Sequence, residues 1–345
     1  MASHMPPKID VHSHFLPDFY QEACRKHGHA NPDGMPYLPR WNVTSHLALM
    51  DELGIQKSIL SISSPGTHLV YNNNTLARSL TRQVNAFASS LKTRHPTRFG
   101  YFASLPLPDI EGSLAEIPKA LSEGCDGFVF LTNSHGTYLG DSILDPIFDE
   151  LNRQKALIFI HPTTPKICPH SVSAAAANAS PEIPTAATPF AVRLPNPMQE
   201  FLFDTARVVA NLFMSGTIAR CPSLKIILPH LGGAFPPLLS RWTGFSELVP
   251  GDWEGVAEGV VKEAMGKQIW FDMAGFAFPG QIKGLMLGVG VGHERLMYGS
   301  DYPFTQAEGV RGLMGKMDQG VRALFSEGEV EDLYWGNAER LLRMR

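Results

Sequence analysis

Ile9-Asp10-Val11-His12-Ser13-His14 is a short apolar-alternating run that ends in two histidines spaced i, i+2. On a β-strand, residues i and i+2 point to the same face, so His12 and His14 project side by side. Two neutral imidazoles converging from one rigid strand suit a divalent transition metal. Alone, such a pair near a chain start reads as readily as exposed polarity or tag remnant. Three later stretches change the weighing: Ile158-Phe159-Ile160-His161, Ile226-Ile227-Leu228-Pro229-His230 and Leu296-Met297-Tyr298-Gly299-Ser300-Asp301. Each is an apolar run that terminates in a metal-ligand type or a proton-transfer group.

Outward from the first strand, residues 15–41 are rich in Pro, Gly, Asn and His and read as a long irregular insertion, with His27 and His29 as solvated loop residues. Thr44 is placed to cap a helix that runs to Leu53 and stops at Gly54. Strands then follow at 57–62, 98–103 and 126–131, separated by helices at 74–94, 113–121 and 144–154. The fifth strand, 156–160, runs into His161-Pro162. A second long insertion follows, and its centre (171–188) is rich in Ala, Ser, Thr and Pro. Because strand–helix alternation resumes afterwards, it reads as a loop over the mouth of the fold and not as an interdomain linker. Pro197 opens a helix to Met214; the sixth strand is 224–228, and helices over 235–245 and 252–265 lead to the seventh, 268–273. A helix at 280–289, an eighth strand at 295–299 and closing helices over 329–345 complete the chain. Eight strands alternating with helices predict an α/β chain folded as a (β/α)8 TIM barrel, with long loop insertions after strands one and five.

The chain has 345 residues, 44% of them hydrophobic and 18% charged, which is ample for a core. A formal net charge of −4 gives no electrostatic footprint for nucleic acid or an anionic membrane. No apolar run is long enough to span a bilayer. Met1-Ala2-Ser3-His4-Met5 reads as a cloning scar, so His4 is left out of the ligand set and residues 6–345 form one domain. Cys24, Cys125, Cys168 and Cys221 are scattered without CxxC spacing, as expected of reduced packing residues in a cytoplasmic protein.

In such a barrel the active site lies at the C-terminal ends of the strands. His12 and His14 end strand one, His161 ends strand five, His230 ends strand six and Asp301 follows strand eight. All therefore arrive on one face from separate parts of the chain. His12, His14, His161 and Asp301 supply three imidazole nitrogens and a carboxylate to one divalent ion, while leaving room for substrate. His230 reads as a further ligand or, preferably, as an acid/base beside the ion. Gly232-Gly233 lets the backbone pass close to a ligand, and the helix start after it favours an anion. Arg241 on that helix is a candidate for a substrate carboxylate, with an outward-facing arginine as its plain alternative. Arg40 is a similar candidate on the first insertion, and Phe276 after strand seven is a candidate wall for an aromatic pocket.

Asp10-Val11-His12-Ser13-His14-Phe15, Phe159-Ile160-His161-Pro162, Pro229-His230-Leu231-Gly232-Gly233, Gly299-Ser300-Asp301-Tyr302-Pro303 and Gly336-Asn337-Ala338-Glu339-Arg340 together resemble the amidohydrolase superfamily. More narrowly they resemble its aminocarboxymuconate-semialdehyde decarboxylase-like branch, from Lys8 onward. The resemblance implies a barrel with one divalent metal, zinc ahead of manganese, at His12, His14, His161 and Asp301. It implies His230 as the catalytic histidine. It also implies that Arg241 reaches the substrate carboxylate of a neighbouring subunit, hence a homodimer. Residues 126–132 contain no lysine that could be carboxylated to bridge two metals, which argues for a single ion. Related o-hydroxybenzoate decarboxylases often carry Glu-x-His where this chain has His-x-His, so their ligand set does not transfer whole. Within the branch the chain looks most like fungal 6-methylsalicylate decarboxylases. That would make it a carboxy-lyase converting a small aromatic acid, 6-methylsalicylate, to 3-methylphenol (m-cresol) and CO2, with Asp301 or His230 relaying the proton.

The nearest alternative keeps the site and changes the reaction to metal-dependent hydrolysis or hydration of a small unsaturated acid or lactone. A non-catalytic metal-binding barrel would be expected to lack a ligand, and none is missing.

Overall fold

All seven residues of the first strand, β1 (Lys8–His14), are buried, as in a parallel strand covered on both faces. The computed structural model describes residues 5–167, 184–190, 193–249 and 255–344. Beside β1 lie β2 (Ile55–Ser61), β3 (Phe99–Ser104), β4 (Gly127–Leu131), β5 (Leu157–His161), β6 (Lys225–Leu228), β7 (Ile269–Asp272) and β8 (Leu296–Met297), hydrogen-bonded in that sequential order as one eight-stranded parallel sheet. The sheet curls until its ends meet. Val11 N donates to Tyr298 O at 3.0 Å, Asp301 N to His12 O at 2.8 Å and His14 N to Tyr302 O at 2.7 Å. The chain is a (β/α)8 barrel, as its strand count predicts.

Two layers of apolar side chains hold it. Inside the barrel, Ile9, Val11, Ile59, Phe102, Val129, Leu157, Phe159, Ile227, Trp270 and Met297 form one cluster, sealed by Ala338 and Leu341 of the last helix (Asn337–Arg343). A larger layer lies between the strands and the surrounding helices. The interior is therefore packed, and only its upper rim is free for polar side chains.

Four local readings need correction. Residues 15–41 are not irregular throughout: α1 (Asp18–Lys26) follows Pro17 and buries Tyr20 and Cys24. Loop-forming residues on either side masked its short apolar stripe. Asn42, not Thr44, caps α2 (Val43–Leu53), its side chain accepting from Ser45 N at 2.8 Å, while Gly54 ends the helix in the left-handed conformation as expected. An 18-residue helix, Ala307–Leu324, fills the space after β8, where the sequence suggested no element. The segment after β7 is wound as π-helical turns, Ala277–Gln281 and Gly284–Val289, with no regular α-helix. Most of the 171–188 insertion, and Cys168, lie outside the described residues. Among the described residues Cys24, Cys125 and Cys221 are buried, and none of them forms a disulfide.

Candidate metal centre and its cavity

The rim built by the ends of β1, β5 and β8 brings together four side chains from positions up to 289 residues apart. One ligand-type atom from each of His12, His14, His161 and Asp301 lies within 4.8 Å of the others. His12 and His14 are fully buried and His161 is 3% exposed. Their rings meet edge to face, with centroids 5.1 Å (His12–His14), 5.2 Å (His12–His161) and 4.8 Å (His14–His161) apart.

Each imidazole is oriented by its other nitrogen. His12 Nδ1 faces Asp272 Oδ2 at 3.0 Å, His14 Nδ1 faces Ser61 O at 3.3 Å and Ser61 Oγ at 3.1 Å, and His161 Nδ1 donates to Pro162 O at 2.7 Å. Those acceptors place the ring proton on Nδ1 and leave Nε2 with its lone pair, as a ligand requires. The Nε2 atoms of His12 and His14 are buried without a hydrogen-bond partner. They face Asp301 Oδ1 at 3.5 and 3.2 Å. Buried ring nitrogens are not normally left orphaned. The donor set, its open side and these orphaned atoms fit one divalent cation.

The electrostatics agree. Burial alone would push the Asp301 carboxyl up, but the His12 and His14 rings beside it hold it well below the usual carboxylate range. Burial, followed by the neighbouring His14 and His12, pushes His161 well below its ordinary value, and burial likewise lowers His14. His12 differs: burial opposes its charge, yet the Asp272 carboxylate outweighs that and raises it to about 10. A proton on His12 and a metal on its Nε2 satisfy the same need for positive charge next to Asp272 and Asp301, and they exclude one another.

Asp301 and His230 both sit at positive φ (59° and 49°), followed in the second case by Leu231 at 54°. Such backbone is uncommon outside glycine and clusters where side chains are held for function. Asp10 anchors the Asp301 loop from below: its Oδ2 accepts from Ser300 Oγ at 2.6 Å and its Oδ1 from Ser300 N at 3.1 Å. His230 Nδ1 faces Ala274 O at 3.2 Å, and its ring lies 4.9 Å from that of His12.

Above the cluster opens a cavity of about 600 Å³, within the usual range for small-molecule sites. His161, His230 and Asp301 form part of its floor, while Phe201, Phe304 and Phe276 contribute aromatic walls. Phe276 is 75% exposed at the mouth of the cavity it lines. Arg241 and Arg40 do not line the cavity of their own chain. Arg241 projects from the outer face of the helix Phe235–Leu248, its guanidinium 4.6 Å from the Phe245 ring centre. Arg193, from the insertion after β5, does line it, together with Asp33 from the insertion after β1. The glycine pair serves packing. A side chain on Gly233 would sit 2.5 Å from Leu202 O of the preceding helix, and one on Gly232 would sit 3.3 Å from the Phe271 ring.

Three charged residues of this region escaped the sequence reading: Asp272, Arg193 and Asp33. Asp272 had the same signal as the others, a carboxylate ending the apolar run Ile269-Trp270-Phe271. The other two sit on insertions whose path no local pattern encodes. Among the described residues, no helix is long and apolar enough to cross a membrane.

Comparison with known proteins gives this geometry a context. The amidohydrolase family profile matches residues 9–344. The decarboxylase macB of Penicillium terrestre is 34% identical over 352 residues, covering 97% of this chain and 94% of that one. The 6-methylsalicylic acid decarboxylase acuB of Aspergillus aculeatus is 31% identical, covering 86% and 84%. Among solved structures, a dihydroxybenzoic acid decarboxylase from Polaromonas sp., crystallised with manganese and the inhibitor 2-nitroresorcinol, superposes with a TM-score of 0.77 at 21% identity, covering 99% and 98%. The named relatives are decarboxylases, in keeping with the carboxy-lyase expectation. From the barrel, the convergent donors and the match across nearly its whole length, the chain belongs to the amidohydrolase family.

Proposed function

We propose that the protein catalyses metal-dependent, non-oxidative decarboxylation of a small o-hydroxybenzoate, with 6-methylsalicylate to 3-methylphenol and CO2 as the leading reaction. The observation that carries this reading is the three-histidine, one-aspartate cluster at the floor of an aromatic-walled cavity, with His230 beside it. The decarboxylases among its relatives, one acting on 6-methylsalicylic acid, support the same class.

His12, His14, His161 and Asp301 would hold the ion, zinc or manganese; when bound it supplies Lewis-acid stabilisation of the substrate's carboxylate and ortho oxygen. The protein's own groups do the rest. Phe201, Phe304 and Phe276 enclose the ring and limit water. His230, with Nδ1 committed to Ala274 O, can carry a proton at Nε2 and deliver it to the ring carbon that bears the carboxylate. Asp301 is the second candidate for that proton transfer. Loss of CO2 from the protonated, non-aromatic ring then restores aromaticity. Arg193 is suited to the substrate carboxylate from within one chain. Arg241 could serve only from a neighbouring subunit. Leu238, Phe245 and Leu248, exposed along the face that carries Arg241, support a homodimer as the setting for that role.

The test is incubation of metal-quantified protein with salicylate, 6-methylsalicylate and related o-hydroxybenzoates, following CO2 and phenol. Turnover with about one metal per chain is the expected outcome. A metal-loaded protein that decarboxylates none of them, but hydrolyses a lactone or hydrates an unsaturated acid, would overturn the proposal.

A further inference from the structure

Asp272, at the end of β7, is fully buried, and every contact of its carboxylate touches the candidate machinery. Oδ2 lies 3.0 Å from His12 Nδ1. Oδ1 accepts from two backbone N–H groups, His230 at 3.1 Å and Ala274 at 3.0 Å. Ala274 in turn presents its carbonyl to His230 Nδ1 at 3.2 Å. One carboxylate thus holds a metal-binding imidazole through one oxygen and, through the other, both ends of the support for the proton-transfer histidine.

We infer that Asp272 is a positioning residue that sets the His12 tautomer and the His230 backbone together, so that the metal and the acid/base keep one fixed relation. Although His12, His230 and Asp272 also lie close enough to suggest a second cation, the hydrogen bonds argue against it. Both Asp272 oxygens are already committed, and His12 Nδ1 is a donor toward one of them. The backbone needs the same support. His230 and Leu231 are both held at positive φ, which residues with a Cβ adopt only at an energetic cost. The N–H bond to Asp272 fixes the first of them. The inference rests on the metal site, and not on which acid is the substrate.

Asp272→Asn and Asp272→Ala separate the two halves. In Asp272→Asn the amide oxygen can keep the two backbone donors, but its NH2 then faces His12 Nδ1. That nitrogen must now accept, which moves the ring proton to Nε2 where the metal would bind. Manganese(II) or zinc(II) affinity, measured by chelator competition without substrate, should fall by about 10–100-fold. Circular dichroism should stay native, and kcat at saturating metal should largely recover. Asp272→Ala should show the same loss of affinity, with kcat not restored by metal. His230→Asn should bind metal like the parent. Native metal affinity in folded Asp272→Asn would overturn the His12 half. Full recovery of kcat by metal-saturated Asp272→Ala would overturn the His230 half. If the alanine variant does not fold, the second half is decided by Asp272→Asn, where kcat that stays low at saturating metal overturns it. Because affinity is read without turnover, a wrong substrate assignment leaves this test intact.

Discussion

Replacing His230 gives the sharpest test of the proposed chemistry. Asparagine is the cleaner substitution, because position 230 has φ of 49° and Asn tolerates left-handed backbone better than most residues. It removes the imidazole while leaving the N–H bonded to Asp272 Oδ1. His230 lies outside the four-residue cluster, so His230→Asn should retain about one metal per chain with unchanged affinity. The lost proton transfer should lower kcat by about 10²–10⁴, equivalent to roughly 3–5 kcal/mol of barrier. KM should move far less, since the ion and the aromatic walls remain to bind substrate. The assay is steady-state CO2 release with metal content measured on the same sample. Near-parental kcat with the metal retained would refute the role given to His230 and leave Asp301 as the proton donor.

The two arginines make opposite predictions. If Arg193 holds the substrate carboxylate, Arg193→Ala should raise KM by at least tenfold at any protein concentration. If Arg241 does so across a dimer, Arg241→Ala should be the damaging change, and parental activity should fall on dilution below the dimer Kd; sedimentation velocity and kinetics on both variants decide between them. Gly233→Ala should destabilise the fold by about 2–4 kcal/mol, since it combines positive φ with a Cβ 2.5 Å from Leu202 O; a Tm within about 1–2 °C of the parent would show that the helix Glu200–Met214 can yield. His46 is buried, accepts from Trp41 Nε1 at 2.9 Å, and is pushed by burial down to about 3. Its folded value lies below the unfolded one, so its contribution is complete above about pH 6.5 and is lost as pH falls toward 3. Stability should therefore decline with acidification by up to about 1.4 kcal/mol per pH unit. His46→Gln should flatten that part of a urea-unfolding series, and an unchanged slope would exclude His46 as its source.

How much of this was legible beforehand follows from where the information sits. Strand ends are locally encoded: an apolar run with a polar terminus reads the same in the sequence as on the barrel rim, which is why His12, His14, His161, His230 and Asp301 all appear on one face. Asp272 obeyed the same rule, as the carboxylate that ends the apolar run Ile269-Trp270-Phe271. Arg193 and Asp33 lie on insertions, where position depends on contacts with distant elements. Asp33, for example, is placed by accepting from Thr164 N at 3.0 Å. Gly233 points to the same limit. Its need for a missing side chain is evident only once the backbone of Leu202 is set against it. Arg241 illustrates a third case, because any role across a subunit boundary would be written in neither the local pattern nor the geometry of one chain.

The seam of the barrel carries one more consequence. His12 and His14 come from the first strand and Asp301 from just beyond the last, so three of the four candidate ligands straddle the junction where the two ends of the sheet meet. Cation binding there would be a clasp on chain closure. It would act on a contact that closes a loop of most of the chain, and it would stabilise only molecules whose last strand has docked on the first. Unfolding midpoints should rise with metal concentration. A nascent chain that has emerged only as far as β7 should have no complete site to load, which would make metal uptake a late, self-checking step in the folding of this protein.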